Sequence, residues 1–380
     1  RQPHGMTPDF AGLRIDPSAA ILSAERNSRT IPMRVMNVGL VGYGLAGKVL
    51  HAPLIGAVEG LRLTHVTSRD AARVQHDLPR AQVVADAQTL LAAPEIDLVV
   101  IATPNLSHFT LAQQALLAGK HVVVDKPFVV HAAEGEELAR LAAARGKVLS
   151  VFHNRRWDND FLTLRELLRS GLLGAVHSYE AHFDRFRPQV REERWREQDV
   201  PGAGVLYDLG SHLIDQALCL FGRPQSVWAQ TAVQRPGGKA LDCFRLVLGY
   251  RDRTAVLRAA SLVRQPGPRF QVHGTRGSFI KHGLDPQEEA LRQGARPGGP
   301  GWGEDPAALF GEIAFDSGAL RVRGRLETLP GRYQAYYAEL LAAIAQGGAP
   351  PVPALEATEV IRVIEAAMKS AALGTTVELV

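Results

Sequence analysis

Between Arg34 and Phe152 short apolar runs alternate with stretches long enough to be helices. Runs 35–41, 61–67, 82–84, 96–102, 121–124 and 148–152 predict strands, and segments 106–118 and 132–145 predict helices among them. The run at 96–102 is almost entirely apolar, as a strand covered on both faces of a parallel sheet requires. Repeated strand–helix units of this kind predict a doubly wound, Rossmann-type parallel sheet.

After Trp157 the pattern changes to longer strands with alternating character. In 176–186, Val176, Ser178, Glu180, His182 and Asp184 share one side, and His177, Tyr179, Ala181, Phe183 and Arg185 share the other. Further strands are predicted at 227–234, 244–248, 254–261 and 270–273, then helices at 333–345 and 355–372. Alternation at hairpin-like spacing predicts a large, mostly antiparallel open sheet in an α+β domain. The Gly/Pro-rich stretch 294–303 reads as a surface loop. Residues 33–155 then form a dinucleotide-binding domain of an α/β protein, and 156–380 a substrate-binding and oligomerisation domain. Residues 1–32 lack an apolar core segment and contain Asp9, Asp16 and Glu25, which fits neither a signal nor a transit peptide. They read as a disordered extension preceding a native start at Met33 or Met36.

Composition narrows the classes. The 380 residues are 46% hydrophobic and 22% charged, enough for a buried core. No run approaches the ~18 apolar residues of a membrane span. Two cysteines, Cys219 and Cys243, exclude a disulfide scaffold and a four-cysteine zinc site, in keeping with a cytoplasmic protein. The net charge of +4 comes from arginines scattered among acids, not from a basic stripe, so no nucleic-acid partner is expected.

Gly42-Tyr43-Gly44-Leu45-Ala46-Gly47 matches G-x-G-x-x-G. A glycine-rich turn with no ligand would match as well, but this one follows an apolar strand and opens a helical segment. Gly42 suits the tight turn, Gly44 a close backbone approach to pyrophosphate, and Gly47 close helix–strand packing. The second strand ends in Thr67-Ser68-Arg69, without the carboxylate that would hold a ribose 2′-hydroxyl. A hydroxyl and a guanidinium there suit a 2′-phosphate, so NADP is expected ahead of NAD. Asp70, which follows, reads as a helix cap.

Further polar segments end predicted strands, where open α/β sheets bind ligands. They are Thr103-Pro104-Asn105-Leu106-Ser107-His108, Asp125-Lys126-Pro127, and His153-Asn154-Arg155-Arg156-Trp157. In the second domain Asp208, His212 and Asp215 fall at i, i+4 and i+7, one face of a helix. A histidine flanked by carboxylates suits a titrating base, a structural ion network or part of a metal site. No third and fourth ligands stand at local spacing, so no metal is expected.

Together these residues resemble the Gfo/Idh/MocA family of oxidoreductases, marked by G-x-G-x-x-G, an E-K-P-type lysine motif and a D-x-x-x-H helix. The resemblance runs from about Asn37 to the carboxyl end, with Asp125 where the lysine motif more often has Glu. The segments 153–160, 185–188, 194–197 and 206–216 look closest to the bacterial NADP-dependent scyllo-inositol dehydrogenases within it. The resemblance implies that His212 is the base, Lys126 the hydrogen-bond donor to the reacting oxygen and Asp208 the orienter of the imidazole. It places Thr103, Pro104, Asn105, His108, Asp125 and Lys126 beside the cofactor. Asn154, Arg155, Trp157, Asp184 and Asp215 fall on the hydroxyls of a cyclic polyol or sugar. It also implies a homodimer or homotetramer paired through the second-domain sheet. Other roles within the family are sugar or anhydrosugar reduction, transient oxidation in a glycosidase, and a non-catalytic dinucleotide-dependent regulator.

Overall fold

The computed structural model describes residues 34–379, so the extension assigned to 1–32 lies outside the described residues. The first domain builds β1 (Met36–Val41), a π-wound turn Gly47–His51 continuing as α1 (Ala52–Gly56), β2 (Leu61–Thr67), α2 (Ala71–Asp77), β3 (Gln82–Val84) and α3 (Ala87–Ala92). It continues through β4 (Leu98–Ile101), α4 (His108–Leu117), β5 (His121–Asp125), α5 (Ala132–Ala144) and β6 (Leu149–Phe152). The six strands are parallel in the order β3-β2-β1-β4-β5-β6, the doubly wound arrangement expected. Val38, Leu40 and all of β4 are fully buried, because helices cover both faces of the sheet. The chain order reverses between β1 and β4, which opens the crevice at their carboxyl ends where such sheets take ligands.

The second domain begins with α6 (Asn159–Arg169) and β7 (Val176–His182), then a π-wound turn Leu206–Gly210 leading into α7 (Ser211–Phe221). It adds β8 (Ser226–Ala232), β9 (Cys243–Gly249), β10 (Thr254–Ala260), β11 (Phe270–Gly274), β12 (Gly277–Lys281), α8 (Gln287–Arg292), β13 (Gly311–Ser317) and β14 (Leu320–Leu326). Last come α9 (Gln334–Gln346), α10 (Ala354–Leu373) and the two-residue β15 (Val377–Glu378). The nine strands run β14-β13-β12-β11-β7-β10-β9-β8-β15 and are antiparallel except for β7 against β10. Tyr179, Ala181, Phe244, Leu246, Leu257, and Phe270 are fully buried on the inner face, while Ser178, Glu180, His182 and Gln271 lie partly exposed on the other.

The closing helices tie the sheets together. Tyr336 donates to Ser150 Oγ (2.9 Å) at β6, and the Tyr337 hydroxyl meets His51 Nδ1 (2.6 Å) after the glycine loop. Glu365 of α10 accepts from Ala132 N–H at the start of α5 (3.0 Å). No helix among the described residues is long and apolar enough to cross a membrane.

Candidate active site

The glycine loop leaves β1 at the switch point. Gly42 has φ +99°, and a side chain there would press on the Ala102 carbonyl after β4, 2.7 Å away. A Cβ on Gly47 would collide with the Gly42 carbonyl oxygen, whereas one on Gly44 would meet nothing within 4 Å. Gly44 therefore presents bare backbone to open space, a cradle that a methyl group would fill, and this fits a dinucleotide pyrophosphate. Gly47→Ala should cost ~1–3 kcal/mol of stability by overpacking, read by denaturant titration. Gly44→Ala should leave the unfolding midpoint in place and weaken dinucleotide binding.

The Tyr43 ring turns inward, with its hydroxyl donating to Asp77 Oδ2 (3.3 Å), which also pairs with Lys48 (2.6 Å). Burial and the Asp77 charge push this phenol up to about 12. Only the backbone of Tyr43 is left for a ligand. Leu45 is exposed beside it and Ala46 continues into the helix. At the end of β2, Ser68 Oγ and the backbone of Asp70 bond to each other, and Asp70 caps α2 by accepting from Arg73 N–H (3.0 Å). Arg69 is exposed and has no ion-pair partner among the described residues, so its fork is free for a phosphate.

Beyond β4, Thr103 Oγ1 meets Ser107 Oγ (2.7 Å), Pro104 leads into a short 3-10 turn, and the Asn105 amide donates to the Gly202 carbonyl of the second domain (2.8 Å). His108 is buried, with Nε2 on the Thr103 carbonyl (2.9 Å) and Nδ1 on that of Pro127 (2.9 Å). It is fully buried between the two strand-end loops, and since burial holds it below the ordinary histidine value, the neutral ring has one N–H to donate to one of these carbonyls. Asp125 accepts from the Lys126 N–H (2.8 Å) with His51 Nε2 at 3.9 Å. Burial pushes its pKa up, but His51 and Lys126 outweigh that and keep it ionised.

Lys126 reaches from the first domain to the second. Its Nζ donates to Asp208 Oδ1 (2.8 Å) and to the Asp208 carbonyl (2.7 Å). The expectation that Asp208 orients His212 is corrected here, because the carboxylate lies on the lysine and His212 Nδ1 is buried without a partner. The backbone explains the difference. Leu206–Gly210 is π-wound, bonded i→i+5, so the i, i+4 face rule does not hold across it. Burial, reinforced by Lys126 and Arg155, holds His212 well below the ordinary histidine value, so the ring is neutral at ordinary pH, with its lone pair unprotonated.

Three other sequence assignments also move. Trp157 donates through Nε1 to Glu339 (3.1 Å) and stacks edge-on against Tyr336, away from the crevice. Asp184 sits on the outer face of the second sheet, 3.5 Å from Arg258, and its neighbours Phe183 and Arg185 take the inner side. Both Asp215 oxygens accept from Arg156 (2.7 and 2.9 Å), and the carboxylate is 2% exposed, so it is committed to the arginine and not presented to a ligand. Arg155 is buried between Asp158 (3.3 Å) and Glu288 (2.7 Å), beside the equally buried Asn154. His153, named within its strand-end segment but given no role from the sequence, has its ring edge-on to His212 at 6.3 Å with both nitrogens unpartnered. The sequence gives no sign of Gln216, one turn beyond His212, which bonds the Arg155 carbonyl (2.9 Å) and Arg269 (2.7 Å). The strand-end position of His153 is the signal for it; the partners of Gln216 are too distant in sequence to give one. Among the described residues no group of His, Cys, Asp or Glu is arranged to hold a metal.

One domain built for a dinucleotide and a second whose helix α7 holds a buried histidine within electrostatic reach of the first domain's lysine define an oxidoreductase of the two-domain, nicotinamide-dependent class. Residues 36–153 match the family model for the NAD-binding Rossmann fold of the GFO_IDH_MocA oxidoreductases, and 165–379 match that for the C-terminal alpha/beta domain. The chain belongs to the Gfo/Idh/MocA family and is an NAD(P)-dependent dehydrogenase. It is 49% identical to the uncharacterized oxidoreductase YdgJ of Escherichia coli, over 88% of this chain and 96% of that one. It is 41% identical to the scyllo-inositol 2-dehydrogenase (NADP(+)) IolW of Bacillus subtilis, over 90% and 96%. The solved structure of yvaA from Bacillus subtilis superposes with a TM-score of 0.89 at 40% identity, covering 92% and 99% of the two chains.

Proposed function

We propose that the protein oxidises a secondary alcohol of a cyclic polyol such as scyllo-inositol with NADP, and reduces the corresponding ketone in reverse. The observation that carries this reading is the meeting of Lys126 with Asp208 beside a buried, neutral His212. Likeness to IolW supports the substrate class and the cofactor. The glycine loop would hold the pyrophosphate and Arg69 the 2′-phosphate. When bound, the nicotinamide supplies the hydride acceptor. His212 takes the hydroxyl proton, and Lys126 donates a hydrogen bond to the oxygen as its charge develops. Asp208 steers the lysine, since its carboxylate and carbonyl hold two of the three ammonium donors.

The test is absorbance at 340 nm with NADP and NAD against inositols, sugars and anhydrosugars. Turnover of a sugar or anhydrosugar and of no inositol would reject the polyol assignment. Arg69→Ala should weaken NADP binding ~10–100-fold, the worth of a charge-assisted phosphate contact, and leave NAD binding unaltered. Equal NAD and NADP affinities in the unaltered protein would reject the cofactor assignment. The outer face of the second-domain sheet is the proposed surface for a dimer or tetramer, to be checked by sedimentation.

A further inference from the structure

Asp208 carries more positive charge than one carboxylate can neutralise. Besides Lys126 at 2.8 Å, the Arg196 Nε lies at 3.5 Å and Arg185 Nη1 at 3.8 Å from its oxygens. Among the described residues neither arginine has another carboxylate within ion-pair reach, and neither guanidinium makes a hydrogen bond. Arg185 is the more telling of the two. Its side chain is only 26% exposed and rests on the Phe183 ring (4.8 Å), so much of its hydration is gone. Burial brings its pKa down to about 10, with Arg187 and Arg155 adding to the effect and Asp208 and, less strongly, Glu288 opposing it. A guanidinium has five donors in a rigid fork, and none of those on Arg185 or Arg196 is taken up by a hydrogen bond among the described residues, so they stay open to a ligand. Arg196 reaches the same carboxylate from the 195–197 turn, stacked on Trp195 (4.6 Å).

We infer that the substrate cleft is built to take an anionic polyol, with Arg185 and Arg196 binding a carboxylate or phosphate carried away from the reacting carbon. The inference rests on reading the cleft as a polyol site and extends that reading from neutral cyclic polyols to their acidic counterparts. A planar fork opposite an oxyanion gives two parallel charge-assisted bonds, which a hydroxyl cannot match. The surplus positive charge also draws anions into the cleft from solution. Lys126 needs no part in this, because its ammonium is already held by Asp208 for the reacting oxygen.

The experiment is calorimetric titration of the NADP-saturated protein with two matched pairs, glucose with glucuronate and myo-inositol with an inositol monophosphate. In at least one pair the anionic member should bind ~10–100-fold more tightly, the range for hydrogen bonds to charged groups. Arg185→Gln should bring that ratio close to one, and Arg196→Gln, on an exposed turn, should reduce it without risk to folding. The two pairs separate a carboxylate from a phosphate. Equal or weaker binding of both anions, or no binding of any compound, overturns the inference. So does a ratio unchanged in both variants. A tenfold loss of NADPH affinity in Arg185→Gln would assign the arginine to the cofactor's phosphates and overturn it too. Selective anion binding with no turnover of any bound compound would instead reject the dehydrogenation of a polyol, so the two readings fail separately.

Discussion

His212→Ala is expected to slow the chemical step by ~10²–10⁴-fold, the usual worth of a general base, while dinucleotide affinity stays within a few-fold. The ring is 4% exposed, and its Nδ1 has no protein partner to share the work. Its environment also sets the pH dependence. Burial and the facing cations hold the folded pKa well below 6.5, so the neutral, proton-accepting form persists into mildly acid solution. Oxidation should therefore rise with pH below the ordinary histidine range and be flat through neutrality. Single-turnover rates against pH check this, and a midpoint at or above 6.5 would mean that the base is another group. Stability is tied to the same shift. With the folded pKa depressed for His212, and down to about 4 for His153, the unfolded chain takes up protons that the buried rings refuse. Stability is thus lost as pH falls from 6.5 toward the folded values.

The parts of this fold that could be read from the sequence are those whose burial is decided locally. β4 is apolar throughout because both of its faces are covered, and the glycine loop shows itself by its position between a strand and a helix. What stayed hidden depends on distant partners. α6 opens with Asn159 and Asp160, which look like surface residues and are fully buried. The Asp158 just before it takes the Tyr333 hydroxyl (2.6 Å) and Asp160 faces Arg269 (3.5 Å), so the burial is made by residues more than a hundred positions away. The β13–β14 hairpin escaped for the opposite reason: β14 lies at the sheet edge, almost wholly exposed, with no core side to impose a pattern. In the site, alternation correctly separated Asp184 from Arg185 but could not say which side faced the cleft. The π-wound turn before α7 left no mark that spacing arithmetic could use, and so the partner of Asp208 was misassigned.

That reassignment leads to the second large effect. Lys126→Ala should lower the rate of hydride transfer by ~10²–10³-fold, by analogy with the loss of one preorganised donor to a developing oxyanion. Asp208→Asn should cost less, since the carbonyl of residue 208 still accepts from the ammonium and only the carboxylate contact is weakened. The route of the Asp208 effect is open to test. If Asp208 acted by orienting His212, its loss would compound the loss of Lys126, because two separate contributions would be removed. If it acts by holding Lys126, the double variant should be little slower than Lys126→Ala alone, the non-additivity expected of groups that work as a unit. The geometry favours the second result, with 2.8 Å between the carboxylate and the ammonium and no bond to the imidazole. Asp208→Asn should also leave the acid limb of the rate profile where it is, apart from a small shift from the altered charge. A fully additive double variant, with a displaced acid limb, would return Asp208 to the histidine.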